Sequence, residues 1–171
     1  MTTGARAAER DPAAPPAALL DAVDEHCRAL AATAAGRVFT VPVEDAEAAL
    51  RSEVGRGVRY DTVLSCMCTP RLTSLEDYVA AVEQVLADGG WILMVEPDGI
   101  DRGTLPRWLI SRSRWPSPLL RTRGRDVVSA VRARGLVITD IQRREARSAP
   151  ASWRRYVVMR VRRATPRPER P

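Results

Sequence analysis

The chain contains no lysine and no asparagine, and all 27 of its basic residues are arginine. Uniform arginine points to GC-rich codon choice, so arginine identity alone says little about a ligand. A single histidine, His26, excludes any site built from several imidazoles. Beside Glu25 on a predicted helix it reads as a solvated or packing residue, with general-base work as the sharper alternative. Three cysteines are an odd number and too few for a disulfide framework, which suits free thiols in a reducing compartment. Within "CMC" (66–68), alternate positions on a strand point to opposite faces, and a zinc site needs further ligands. Core or cleft lining is therefore preferred to a metal or redox pair. No purely apolar run exceeds five residues, as in "WILMV" (91–95), against the ~20 that a membrane span needs. Acids and prolines stand in the first 20 residues where a signal peptide has its apolar centre, so the expected location is cytoplasmic.

What is present fits one ordinary globular domain: 171 residues, 45% hydrophobic and 28% charged. The net charge of +6 conceals a segregation. Residues 1–100 hold 8 Arg against 16 acids (8 − 16 = −8), and residues 101–171 hold 19 Arg against 5 (19 − 5 = +14). Three readings follow, in order of preference. Codon usage accounts for the arginines while Trp108, Trp115 and Trp153 pack the core and cover a cleft. Otherwise the basic part meets an acidic partner, even a second copy of the chain, or it binds nucleic acid through phosphates and stacking.

Residues 1–16 lack apolar periodicity and read as a disordered arm. Leu19, Leu20, Val23, Cys27 and Leu30 recur at helical spacing, with Pro15 and Pro16 at the entry and Gly36 at the close. "RVFTVPV" (37–43) predicts a strand, "EDAEAALRSEV" (44–54) a helix and "YDTVLS" (60–65) a second strand. Ser74 with Asp77, or Thr73 with Glu76, forms a capping box before "LEDYVAAVEQVL" (75–86), whose apolar residues share one face. Gly89 and Gly90 supply a left-handed exit, and the unalternating "WILMV" predicts a strand buried on both faces, as in a parallel sheet. Residues 99–122 read as a long loop or short helices covering a site. A helix ending at Gly135, a strand "LVITDIQ" (136–142), a final strand (154–163) and a tail (165–171) follow. The order implies a Rossmann-like α/β domain over 17–164, its mostly parallel sheet flanked by helices on both faces and closed by an antiparallel C-terminal strand pair.

From about Leu19 to Arg163 this resembles the class I S-adenosylmethionine-dependent methyltransferases. The matching features are "YDTVLSCMCTPR", the helix and Gly-Gly turn before a strand ending in Glu-Pro, "RDVVSAVRARG", and the closing strand pair. The resemblance places Glu44 and Asp45 where the family binds adenine. It sets Ser65, Cys66 and Met67 along the cofactor and substrate cleft. Arg71 and Trp108 are candidates for the substrate side, as are Glu96 and Asp98, which stand at the carboxyl end of a central strand, where such sheets bind ligands. If "AALLDAV" (17–23) is read as a strand, Asp24 takes the place of the ribose-binding acid.

One departure is large. The family opens with a strand, a Gly-x-Gly-x-Gly loop, a helix and a second strand, and that loop lets backbone N–H groups approach the cofactor. Only 37 residues precede Val38, and a βα unit with its returning strand takes roughly 30 or more, so the expectation is a shortened member without the loop. The first functional reading is a methyltransferase-like pseudoenzyme, a heteromer's auxiliary subunit that works on a small molecule with a complete methyltransferase supplying the loop. The second is an active O- or N-methyltransferase whose S-adenosylmethionine site is completed by a homodimer. The third is a basic nucleic-acid-binding or structural module.

Overall fold

The computed structural model describes residues 15–98, 126–150 and 153–163. The expected arm for the most part, the 99–122 loop with Trp108 and Trp115, and the tail lie outside them. In chain order the elements are α1 (Ala17–Ala31), β1 (Val38–Thr40), α2 (Ala46–Gly55), β2 (Tyr60–Cys66), a 3-10 turn (Thr69–Arg71), α3 (Leu75–Val85), β3 (Leu86–Pro97), α4 (Val127–Ala133), β4 (Leu136–Glu145) and β5 (Arg155–Arg163). The strands form one sheet in the order β1-β2-β3-β5-β4. β1, β2 and β3 are parallel; β5 is antiparallel to both β3 and β4, so β5 alone runs against the rest. This is the Rossmann-like α/β sheet that the alternation of elements implied.

Alternation along buried strands assigns the two faces. Val63, Ile92, Met94, Val157 and Met159 face one way and join α2, α3 and α4 in the larger core. Leu64, Leu93, Val95 and Val158 face the other way and meet α1 through Leu19, Val23 and Leu30. Both sides of β3 are thus buried, which is why its sequence lacks alternation. The helix start at Ser74 is built as its sequence suggests: Ser74 Oγ accepts from Asp77 N–H at 3.1 Å, offsetting one orphan donor of the first turn. Asp126 serves α4 likewise, accepting from Ser129 N–H at 3.0 Å.

α1 does not cover the whole of its face. Val38, Thr62, Trp91, Arg162 and Val137 form one row across all five strands through their mutual register. Thr62 is covered by the loop after α1, to which it is bonded at Ala35, whereas Val38, Trp91 and Val137 remain 41%, 38% and 40% exposed. The Arg162 guanidinium lies over the Trp91 ring at 6.0 Å.

Three local expectations are corrected. Residues 17–23 are helical, so the strand reading that made Asp24 a strand-end acid is wrong. α1 stops at Ala31 with Ala32 as its cap, and Gly36, at φ 69°, instead turns the chain into β1. α3 ends at Val85, because Leu86 is already extended and pairs with Tyr60 of β2. Gly89 takes a positive φ within the first part of β3, and Gly90 allows close approach: a Cβ there would lie 3.0 Å from the Asp61 carbonyl oxygen.

Candidate functional site

In open α/β sheets, ligands bind outside the carboxyl ends of the parallel strands. Here that edge is formed by the segments after β1, β2 and β3, and its centre is Glu96. The Glu96 side chain is fully buried yet accepts four hydrogen bonds: from Ser65 Oγ (2.5 Å), Cys68 N–H (3.2 Å), Thr69 N–H (3.0 Å) and Thr69 Oγ1 (2.9 Å). Ser65 has one proton and gives it to Glu96, so at the 2.7 Å Tyr78–Ser65 contact the tyrosine donates. The chain Tyr78–Ser65–Glu96 therefore runs from α3 through β2 to β3. Burial raises the carboxyl pKa of Glu96 against the opposing pull of these donors. Burial likewise raises Tyr78 well above its ordinary value and, with the nearby carboxylate, pushes Cys68 up to about 12.

This network fixes an otherwise costly turn. Met67 has φ 58°, left-handed for a residue with a side chain, yet it is buried and donates its N–H to Val95 O at 2.8 Å. Glu96 holds the next two residues of the same loop. Ser65 and Met67, placed by the resemblance along the cleft, and Glu96, expected at the ligand end of its strand, are thus turned inward, with the polar atoms of Ser65 and Glu96 engaged with each other and with the backbone.

The second feature lies at the carboxyl end of β1. Glu44, Asp45, Glu47, Arg51 and Arg71 line a polar crevice of about 180 Å³ against the first turn of α2. Arg71 Nη1 is 3.5 Å from Glu44 Oε1. Glu47 is withdrawn from the opening: it accepts from Thr73 N–H (2.5 Å) and Ser74 N–H (3.2 Å), tying α2 to the entry of α3. Partial burial pushes its pKa up, but those two backbone bonds, the Thr73 side chain and the Arg51 charge together outweigh it and leave the carboxyl below its usual range. Three of the residues singled out from sequence, Glu44, Asp45 and Arg71, thus meet in one place.

The remaining candidates are scattered. Asp24 is exposed on α1 and paired with Arg28 at 2.6 Å. Asp98 follows β3 and pairs with Arg143 at 3.1 Å. Cys66 is half-buried on the α1 side of the sheet, and Trp108 lies outside the described residues. Trp153 packs against the α1-side core. Sequence reasoning missed Tyr78, Thr69 and Glu47 because each acts on a residue far along the chain; Glu47 alone had a local signal, as an acid in a first helical turn.

The described residues do not fit S-adenosylmethionine as a complete group. Gly36, Gly55, Gly57, Gly89, Gly90 and Gly135 are the described glycines; four precede strands, and Gly89 and Gly90 lie in the first part of β3. None stands at the carboxyl edge, where a backbone cradle for a cofactor would be needed. The crevice after β1 is also small against the ~300 Å³ from which ligand clefts generally start. Glu44, Asp45 and Arg71 could hold polar groups of a ligand there, but no reacting centre is assembled around them. Among the described residues no group of metal-binding side chains occurs, and no helix is long and apolar enough to cross a membrane.

No family model and no curated protein matches the chain. Among solved structures it is similar to the [4+2]-cyclase SpnF, at 14% identity over 92% of this chain and 86% of that one, with a TM-score of 0.54. It is also similar to the 16S rRNA (adenine(1408)-N(1))-methyltransferase from Catenulisporales acidiphilia (16% identity, 97% and 99% covered, TM-score 0.38). A third is M1.HpyAVI (7% identity, TM-score 0.38), where 75% of this chain spans 55% of that protein's length. At these identities the likeness is one of fold alone, that of an α/β Rossmann-like sheet.

Proposed function

We propose that this methyltransferase-like chain is an auxiliary subunit, acting with a complete methyltransferase in the methylation of a small molecule. The observation that carries the proposal is the absence of any described glycine at the carboxyl edge of β1, β2 and β3. The fold's ligand edge is there, but its central carboxylate is saturated by Ser65, Cys68 and Thr69. A partner with its own glycine-rich loop would bring the cofactor. The uncovered row of Val38, Trp91, Arg162 and Val137 supports a protein partner, since it places apolar groups and an aromatic–arginine pair, the types enriched in interface centres, on one open face.

Calorimetric titration of S-adenosylmethionine tests this. The lone chain is expected to give no binding heat in the micromolar range. Binding should appear, or that of a complete methyltransferase strengthen, when the product of a neighbouring methyltransferase gene is added. Micromolar binding by the lone chain overturns the auxiliary reading in favour of an autonomous enzyme.

A further inference from the structure

The two faces of the sheet are unequally covered. Among the described residues α2, α3 and α4 lie on one side and α1 alone on the other. α1 seats Leu19, Val23 and Leu30 against Leu64, Leu93, Val95 and Val158, over β2, β3 and the near side of β5. Beyond it, Arg162 and the β4 residues whose register puts them on the same side, Val137, Asp140, Gln142 and Arg144, are exposed. The uncovered half is two strands wide, ~10 Å at ~4.8 Å per strand, which is the width of one helix. All four exposed large hydrophobics of the described residues, Leu20, Val38, Trp91 and Val137, also stand on this side, Leu20 on the outer surface of α1 and the others in the row at the amino end.

Charge selects what covers this half. It carries Arg144, Arg160 and Arg162 against Asp140, whereas the exposed side of α1 carries Asp21, Asp24 and Glu25 against Arg28. The two sets share a height along the sheet: Arg144 is opposite Tyr156, whose hydroxyl donates to the Ala22 carbonyl oxygen at 3.5 Å, one residue from Asp21. Of the longer segments outside the described residues, 1–14 is balanced in charge, and 99–125, with 7 Arg against 1 acid, and 164–171 are basic. None brings a surplus of carboxylate. We propose that a second copy of the chain does: two copies meet by their α1 sides about a twofold axis parallel to α1, each laying its α1 over β5 and β4 of the other. Such an axis keeps heights unchanged, so Asp21 and Glu25 of one protomer face Arg144 of its partner, twice over. The row that favours a protein partner is then the amino-end border of the dimer contact. The carboxyl edge with Glu44, Asp45 and Arg71 stays open, because α2 packs on the other face, and a complete methyltransferase would meet the pair there. The proposal goes beyond the auxiliary reading and does not depend on it.

Sedimentation velocity of the full chain at low salt tests the contact. A species of twice the 18.8 kDa chain mass is expected at micromolar concentration, dissociating as salt rises. Glu25→Arg and Arg144→Glu should each sediment as monomers with unchanged far-UV circular dichroism. Mixing the two variants should restore the dimer, since one contact keeps its native charges and the other has them exchanged. Arg132→Glu on α4, across the sheet, should leave the dimer intact. A monomer throughout the micromolar range, a dimer that both reversals leave intact, or monomeric variants that fail to pair on mixing overturns the proposal. Calorimetry with S-adenosylmethionine tests the auxiliary role separately, so either can fail while the other stands.

Discussion

The two ends of the sheet make left-handed turns in opposite ways. At the amino ends of the strands the left-handed residues are glycines: Gly36, Gly57, Gly89 and Gly135, at φ 69°, 65°, 76° and 72°. At the carboxyl end it is Met67 at φ 58°, a buried side chain held in place by a saturated carboxylate. A glycine turn is inexpensive and leaves backbone open to an approaching group, whereas the Met67 turn is closed by hydrogen bonds and packing. The edge at which this fold takes ligands has here become a structural knot, which is why a partner is invoked for the chemistry.

Breaking the knot should have the largest effect. In Glu96→Gln the amide –NH2 would face the two donors at Thr69 and leave buried polar groups unpartnered, so stability should fall by about 4 kcal/mol in urea unfolding. The pH dependence sharpens this. Because the folded-state pKa of Glu96 is raised, its contribution is fully present below the unfolded value of about 4.3 and is lost as pH rises through the folded value. Unfolding midpoints measured against pH should show that decline in the parent and lack it in Glu96→Gln.

The glycine end should respond less, and unevenly. Gly36→Ala places a Cβ against the Asp61 carboxylate, which accepts from Arg37 N–H at 2.7 Å. Left-handed strain and that bond together suggest a loss of about 2–3 kcal/mol. Gly57→Ala meets open space, leaving only backbone strain of about 1 kcal/mol. Equal losses at the two sites would show that φ alone governs this end. The smallest effect is expected for Glu83→Gln, which removes a partly exposed pair with Arg134 at 2.6 Å. Surface pairs of this kind contribute up to about 1 kcal/mol, and the loss should shrink in high salt.

That last pair also bears on the charge segregation. Arg134, Arg143 and Arg163 of the basic part pair with Glu83, Asp98 and Asp88 of the acidic part. Sequence reading weighed codon usage, an acidic partner and nucleic acid, but not this internal neutralisation, because it depends on β5 pairing with β3 and on where α4 and β4 then lie. The locally encoded features were legible: a cap at Thr73 or Ser74, the apolar face of α3, the double burial of β3, and an antiparallel closing strand pair; the place of β5 between β3 and β4 was not. The inward turn of Ser65 and Glu96 was not. Both stand at strand ends where ligand-binding residues are found, and nothing within either segment tells which neighbour will take the hydrogen bond.

The sequence by itself determined the order of elements, the faces they bury and the class of sheet they build, since those follow from spacing, caps and turn residues over a few positions. Only the tertiary structure decided that Glu96 is saturated by the loop after β2, and that acid and arginine halves pair with each other. The physical reason is range: periodicity acts over one or two turns of chain, whereas these contacts form between residues 27 to 75 positions apart, brought together by strand register and by which face of the sheet each helix covers.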